Sequence, residues 1–350
     1  MKIELSNITV ETTCQCNLDC SYCHNIWKAG GEPEKFVSSY REAIKTLKKL
    51  FRWSDVKHIT FTGGEPLLSE RFSEVVQFAR IRKKEVTVVS NGNAPYPESY
   101  QELLKLGVSL FKIPVHSSFS GEHDKMTNVE GSWAKAVTTI REITAAGGSV
   151  LPVIVLTRHN ISSVESTLAF ISESLGLKQV MINRFNIGGK GIAEMKNIIP
   201  TMQELRSAYE TANRVAGALN LKISSNVCTP FCVVNPADYP NIAFSSCSTD
   251  RSKLPITLDL TGNIRLCNHS PLVAGNIFEK SLDEILNSEP ATLWLKNTPE
   301  YCTGCSVYEN CLGGCRAAAL QVGLTMDDAD PIVSLTGLTS GAEMMKSRES

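Results

Sequence analysis

Short apolar runs alternate with amphipathic stretches over the first two hundred residues of the chain. Runs such as HITFTGGEP, EVTVVSNGN and LFKIPVHSS are typical of buried strands, and each ends in polar or glycine-rich residues. Between such runs, apolar residues recur at helical spacing, as in the stretch 36–51 with Phe36, Tyr40 and Ile44. Repeated strand–helix pairs predict parallel strands joined by right-handed crossovers.

Six such pairs predict an α/β fold, a partial (β/α)6 barrel resembling a TIM barrel. The carboxyl ends of the strands form the catalytic face of a barrel of this type. The sequence therefore predicts that five polar segments surround one opening: TCQCNLDCSYCH, TGGEP, SNGN, HSSFSG and NRFNIGG.

The alternation is predicted to end at Pro200, where a cysteine-rich C-terminal part begins. LPITLDLTGNIRLC predicts a β-hairpin, and SLDEILNS predicts a short helix in which Ser281 and Glu284 form a capping box. The predicted divisions are a barrel over 1–200, a bridging helix (201–219) and linker over 201–240, a cysteine-rich domain of hairpin and short helices over 241–336, and a tail over 337–350.

Composition narrows the class of protein. The chain has 350 residues, 42% of them hydrophobic, and a net charge of −1, which does not favour binding to nucleic acid or to an acidic membrane. The N-terminus lacks the apolar segment of a signal peptide, and no apolar run has membrane-spanning length. We therefore expect a cytoplasmic protein.

Twelve cysteines fall into groups along the chain. A reducing cytosol disfavours disulfides, and short spacings favour metal ligation. In the first group, Cys16, Cys20 and Cys23 are too few for a tetrahedral zinc site, and His24 is awkwardly placed as a fourth ligand. A four-iron cluster with one open iron suits three cysteines better. Cys14 is interpreted as a packed apolar residue.

This cysteine loop, with Tyr22 before its last cysteine, resembles that of the radical S-adenosylmethionine (SAM) superfamily. The resemblance implies a [4Fe–4S] cluster whose open iron binds SAM. It also implies reductive cleavage of SAM to a 5′-deoxyadenosyl radical that abstracts hydrogen from a substrate.

Further segments match the places where the family contacts SAM. GGEP would lie near the SAM amino group, SNG near the ribose and carboxylate, HSSFSG near the ribose, and NRF would bring an arginine towards SAM. Taken alone, GGEP or Asn91-Gly92 could be an ordinary turn, and Arg184 could instead pair with a carboxylate. The implied SAM-binding residues are Gly63, Gly64, Glu65, Pro66, Ser90, Asn91, Ser118 and Arg184.

The run CTGCSVYENCLGGC could by itself be a zinc ribbon. Together with the hairpin cysteines upstream, it resembles the SPASM extension of radical SAM proteins, which usually holds two auxiliary iron–sulfur clusters. The resemblance implies that Cys247, Cys267 and Cys315 bind the first auxiliary cluster, and that Cys302, Cys305 and Cys311 bind the second.

Each auxiliary site then lacks a fourth ligand. The ending LTMDDADPIVSL resembles that of enzymes maturing pyrroloquinoline quinone, but Val333 stands where those enzymes have a cysteine. The second cluster would use Asp327, Asp328 or Asp330, keep an open iron, or be absent. For the first cluster the candidates are Cys228 and Cys232, which could also be free thiols or hydrogen-atom donors.

The SPASM resemblance implies that the substrate is a ribosomally made peptide or protein, modified by a cross-link, thioether or oxidation. A flavodoxin or ferredoxin would supply electrons. Because the barrel begins near residue 1, a leader peptide would bind a separate partner protein or the barrel surface. The alternatives are maturation of a small molecule or tetrapyrrole precursor, and a non-enzymatic iron–sulfur electron carrier.

Overall fold

The computed structural model describes residues 2–28, 39–248 and 250–336. The beginning of the helix expected over 36–51 and the expected tail over 337–350 lie outside these ranges. The strands are β1 (Ile3–Glu11), β2 (Ser54–Thr62), β3 (Glu85–Val89), β4 (Leu110–Pro114), β5 (Val150–Leu156), β6 (Gln179–Arg184), β7 (Lys222–Ser225), β8 (Ile242–Phe244), β9 (Thr257–Asp259), β10 (Asn263–Arg265) and β11 (Val273–Asn276).

Helices follow most of the strands. They are α1 (Tyr40–Trp53), α2 (Phe72–Ile81), α3 (Glu98–Lys105), α4 (Ser120–Thr127), α5 (Ser132–Ala145), α6 (Val164–Ala169), α7 (Gly191–Ile198), α8 (Met202–Leu219), α9 (Leu282–Leu286), α10 (Glu289–Lys296), α11 (Tyr308–Cys311) and α12 (Arg316–Gln321). Helix α6 continues directly into a π-helical turn, Phe170–Ser174.

All strands of the described residues belong to one sheet, in the order β11-β10-β9-β1-β2-β3-β4-β5-β6-β7-β8. From β1 to β8 each strand pairs in parallel with the next. This arrangement confirms the α/β fold built on a parallel sheet. Since the carboxyl ends of parallel strands meet at one edge, it also brings the loops that follow β1 to β6 together.

The core lies between this sheet and its helices. On β1, Leu5, Ile8 and Val10 are buried, and on α1 the buried face includes Leu47 and Leu50. Capping boxes begin α1, α8 and α9, the last formed by Ser281 and Glu284 as the sequence predicts.

The prediction that the alternation ends at Pro200 is wrong. Helix α8 leads into β7, which pairs in parallel with β6, and β8 then pairs in parallel with β7. These strands have only four and three residues, too few for a period to stand out from the sequence. The segment between them is irregular apart from the 3-10 turn Pro236–Asp238.

The predicted hairpin is β9 and β10, and it extends the barrel sheet rather than standing apart from it. Strand β9 pairs in parallel with β1, and Thr9 N–H donates to Ile256 C=O at 2.8 Å. A buried ion pair joins Arg265 of β10 to Glu11 of β1. Within the described ranges, no helix is both long and apolar enough to cross a membrane.

Candidate metal and SAM centre

The first cysteine loop is bound to the GGEP turn by backbone contacts. Gly64 N–H donates to Thr13 C=O, and Glu65 N–H donates to Gln15 C=O, both at 2.7 Å. A Cβ at Gly63 would lie 2.4 Å from the Thr13 oxygen, and one at Gly64 would lie 2.0 Å from the Gln15 oxygen. The two glycines therefore permit a backbone approach that no other residue allows.

The carboxylate of Glu65 connects the ends of β2 and β3. It accepts hydrogen bonds from the Ser90 hydroxyl at 2.9 Å, the Asn91 N–H at 2.7 Å and the Leu67 N–H at 3.2 Å. Burial raises the pKa of Glu65 to about 7, although these hydrogen bonds oppose the shift. Glu65 is fully buried, and its carboxylate is directed at these protein groups. Pro66 begins the adjoining 3-10 turn and is also buried.

The thiols of Cys16, Cys20 and Cys23 lie together at the carboxyl end of β1. Burial raises the pKa of all three, and the neighbouring thiols raise that of Cys20 further, to about 12. The Asn91 side-chain amide donates to Cys16 Sγ at 3.8 Å. Buried thiols of this kind lose their protons when they bind a metal centre. Three thiols beside an amide donor fit an iron–sulfur cluster bound through three corners.

Tyr22 is oriented by a histidine that the sequence did not single out as a partner. Nδ1 of His116 accepts from Val155 N–H at 3.2 Å, so Nε2 carries the proton and donates to the Tyr22 hydroxyl at 2.5 Å. Burial keeps the pKa of His116 well below its ordinary value, so the ring is neutral. The Tyr22 hydroxyl also lies near Cys20, where it opposes the rise that burial causes in the pKa of that thiol.

Two other predicted SAM contacts lie in different surroundings. Ser118, after β4, donates from its hydroxyl to Ser166 Oγ at 3.0 Å and is half-buried. Arg184, at the end of β6, is buried and donates to Asp330 and to the Cys228 carbonyl at 2.9 Å. Arg184 thus pairs with a carboxylate, which is one of the two alternatives left open by the sequence.

A second group of thiols consists of Cys228, Cys247, Cys267 and Cys315. Cys228 lies beside Cys247, and this neighbour, aided by Arg316, lowers the pKa of Cys247 to about 7. Burial and the charge of Cys315 raise the pKa of Cys267 to about 12. The Asn186 amide donates to Cys315 Sγ at 3.5 Å. The group therefore includes Cys228, one of the two predicted candidates.

A third group consists of Cys232, Cys302, Cys305 and Cys311. Burial and the charge of Cys311 raise the pKa of Cys302 to about 12 and that of Cys232 to about 11. Cys232, the other candidate for the first auxiliary cluster, thus lies with the cysteines predicted for the second. None of the twelve cysteines is in a disulfide bond, and Cys14 is buried next to the first loop.

The aspartates predicted as possible ligands of the second auxiliary cluster make their contacts outside the third thiol group. Asp328 is exposed and accepts two hydrogen bonds from Thr325, at 2.8 Å each, and Asp327 is also exposed. Asp330 is buried against Arg184 and accepts from Cys315 N–H at 2.8 Å, which places it beside the second group.

A histidine pair connects the first site with the C-terminal part. The rings of His24 and His269 stack with centroids 3.8 Å apart. Gln321 donates from its side-chain amide to the carbonyls of both residues, at 3.0 and 2.7 Å. The sequence offers no signal for this contact, because the two histidines lie far apart in the chain.

Comparison with known proteins identifies the class of enzyme. Residues 10–171 match the Radical SAM superfamily. This part of the chain is therefore a radical SAM domain. Residues 247–306 match SPASM, an iron–sulfur cluster-binding domain, so the protein is a radical SAM enzyme that carries a SPASM domain.

The match to SPASM favours iron–sulfur clusters over a zinc ribbon for the C-terminal cysteines. In the described part of the chain, no three Cys, His, Asp or Glu side chains lie close enough together to hold a single metal ion.

The curated relatives are similar along nearly the whole chain. The PqqA peptide cyclase of Xanthomonas campestris pv. campestris is 24% identical, over 98% of this chain and 90% of the relative. Mycofactocin maturase MftC of Mycobacterium ulcerans is also 24% identical, over 93% of this chain and 86% of its own length.

Solved structures share the fold. Streptococcus suis SuiB bound to SAM superposes with a TM-score of 0.72 at 15% identity, covering 94% of this chain and 77% of SuiB. The anSMEcpe structure with bound AdoMet and Cp18Cys peptide gives a TM-score of 0.70 at 14% identity, covering 99% of both chains.

Proposed function

We propose that this enzyme uses a radical generated from SAM to modify a side chain of a ribosomally made peptide or protein. When bound, the cluster and SAM supply a 5′-deoxyadenosyl radical that abstracts a substrate hydrogen. The observation that carries the proposal is the group of three thiols at the carboxyl end of β1, set beside two further groups of four thiols.

Some residues of the site are proposed to bind the cluster or SAM, and others to hold neighbouring protein groups in position. We assign Cys16, Cys20 and Cys23 to the cluster that binds SAM. The predicted SAM contacts Gly63, Gly64, Ser90, Asn91 and Ser118 lie at the carboxyl ends of β2, β3 and β4, at the same edge of the sheet. Glu65 and Arg184 act differently: each is a buried side chain that holds other groups in place.

A peptide substrate is supported by the relatives. The curated ones are named for the PqqA peptide and for mycofactocin maturation, and SuiB has been solved with the precursor peptide SuiA. We further propose that a flavodoxin or ferredoxin reduces the enzyme, that a leader peptide is held by a separate binding protein, and that the enzyme acts in the reducing cytoplasm, where its thiols stay available for iron.

The test is anaerobic incubation of the reduced enzyme with SAM and a small peptide encoded next to its gene. We expect 5′-deoxyadenosine release and a peptide mass change, both lost in Cys20→Ala. Release of 5′-deoxyadenosine without any peptide change, together with turnover of a small molecule or tetrapyrrole precursor, would refute the peptide substrate and support the small-molecule alternative. A Cys20→Ala enzyme with full SAM cleavage would refute the cluster assignment.

A further inference from the structure

We propose that Cys232 is the fourth protein ligand of the second auxiliary cluster, with Cys302, Cys305 and Cys311, and that Cys228 completes the first. This inference rests on the proposed function, because it assumes that both thiol groups bind iron–sulfur clusters. With this assignment the second cluster has a fourth ligand although Val333 cannot bind iron. The ligand is supplied by Cys232, which lies seventy residues before Cys302 in the chain.

The turn that carries Cys232 is held firmly in place. Val233 and Val234 donate from their N–H groups to Pro230 C=O at 2.9 and 3.0 Å. From α8, the Arg206 guanidinium donates to the Cys232 carbonyl at 2.9 Å and to the Val233 carbonyl at 2.7 Å. These hydrogen bonds hold the backbone on either side of the Cys232 thiol.

This turn contacts the second-cluster cysteines directly. Phe231 N–H, one residue before Cys232, donates to Cys311 Sγ at 3.3 Å. Burial raises the pKa of Cys232, and the hydroxyl of Tyr301, the residue before Cys302, lies near enough to oppose that rise. Donors of this kind stabilise thiolates and adjust the potentials of iron–sulfur clusters.

Two pairs of cysteines with the same spacing face each other. Cys228 and Cys232 are separated by three residues, as are Cys311 and Cys315. Pro230 lies midway in the first pair, and a Cβ built on Gly314 would come within 2.5 Å of its ring. Cys228 lies with Cys315 and Cys232 lies with Cys311, so each segment contributes one thiol to each site.

The other candidates for the fourth ligand are engaged or chemically unsuited. Asp330 is paired with Arg184, and Asp328 is exposed and bonded to Thr325. Val333 is buried and cannot bind iron. Cys232 offers the soft thiolate that iron–sulfur clusters prefer.

The test measures the iron bound by the auxiliary clusters in an enzyme that lacks the first cluster. In a background with Cys16, Cys20 and Cys23 all changed to alanine, anaerobic reconstitution should leave about eight irons, since each cubane cluster has about four. Adding Cys232→Ala should remove about half of the iron and sulfide. Cys302→Ala should affect the same cluster, and combining the two should cause no further loss.

Matched variants keep this test decisive. Cys228→Ala combined with Cys302→Ala should remove nearly all iron, because the two residues belong to different clusters. Iron retained in the other cluster shows that a variant is folded, and Cys232→Ser should change the spectrum of the second cluster only. Unchanged iron and spectra in both Cys232 variants, or a loss that adds to that of Cys302→Ala, would overturn the inference.

None of these measurements requires SAM cleavage or a peptide. A failure of peptide modification with the expected iron losses would therefore refute the proposed function and leave the ligand assignment standing. A background protein that binds no auxiliary iron would refute the ligand assignment and leave the proposed function standing.

Discussion

Changing Gly64 to alanine tests how the first cysteine loop is held against the barrel. The added Cβ would lie 2.0 Å from the Gln15 carbonyl oxygen and 2.9 Å from that of Cys14, where ordinary contacts are 3.4–4 Å. Both obstacles are backbone atoms, so the turn and the loop must separate by more than an ångström. The Gly64–Thr13 and Glu65–Gln15 hydrogen bonds, now 2.7 Å each, would break.

Two broken backbone hydrogen bonds that leave buried groups unpaired should cost about 2–5 kcal/mol of unfolding free energy. We expect Gly64→Ala to lose most 5′-deoxyadenosine production and about four irons, while the auxiliary iron stays bound. The measurements are iron content, SAM cleavage and urea unfolding under anaerobic conditions.

Gly121 provides the matched control. No atom lies within 4 Å of a Cβ built there, and the residue is in the first turn of α4. Gly121→Ala should therefore leave stability unchanged or raise it by up to about 1 kcal/mol. If Gly64→Ala keeps its first-site iron and cleaves SAM as fast as the Gly121→Ala enzyme, the reasoning from close backbone approach is refuted.

Three more predictions concern buried polar groups. Glu65→Gln sets an amide N–H2 against backbone N–H donors, so unfolding free energy should fall by about 1–3 kcal/mol; equal urea midpoints would contradict this. Burial lowers the pKa of His123 from 6.5 to about 4, so the unfolded chain binds the proton first, and stability is lost as pH falls through this window. His123→Asn should reduce the fall in unfolding free energy over this pH window by about 3 kcal/mol. An unchanged dependence of unfolding free energy on pH would refute this prediction. Asp330→Asn leaves the Arg184 charge buried without its carboxylate and should lower the free energy of unfolding by about 3–5 kcal/mol. The control Asp328→Asn, at the surface, should lower it by under about 1 kcal/mol. Similar losses in the two variants would show that the ion pair is unimportant for stability.

The sequence predicted the long elements because their periods are local. Strands such as β2 and β5 and helices such as α1 and α8 span enough residues for a pattern to show, whereas β7 and β8 do not. The capping box at Ser281 was predictable for the same reason, since its partner is three residues away.

The surroundings of the site depend on contacts between distant residues, and here the sequence was a poorer guide. The partners of Glu65 are up to 26 residues away, and Asp330 is 146 residues from Arg184. The allocation of Cys228 and Cys232 to different groups follows from the path of one irregular turn. Spacing alone could show that these cysteines were candidates, but not which site each would join.

The pairing of β9 with β1 has a consequence for electron flow. Moving the C-terminal part away from the barrel would break sheet hydrogen bonds, the buried Glu11–Arg265 ion pair and the stacking of His24 on His269. These contacts therefore hold the three thiol groups in one arrangement. Clusters bound by these groups would then exchange electrons over distances set by the fold, and we expect their reduction potentials to control that exchange.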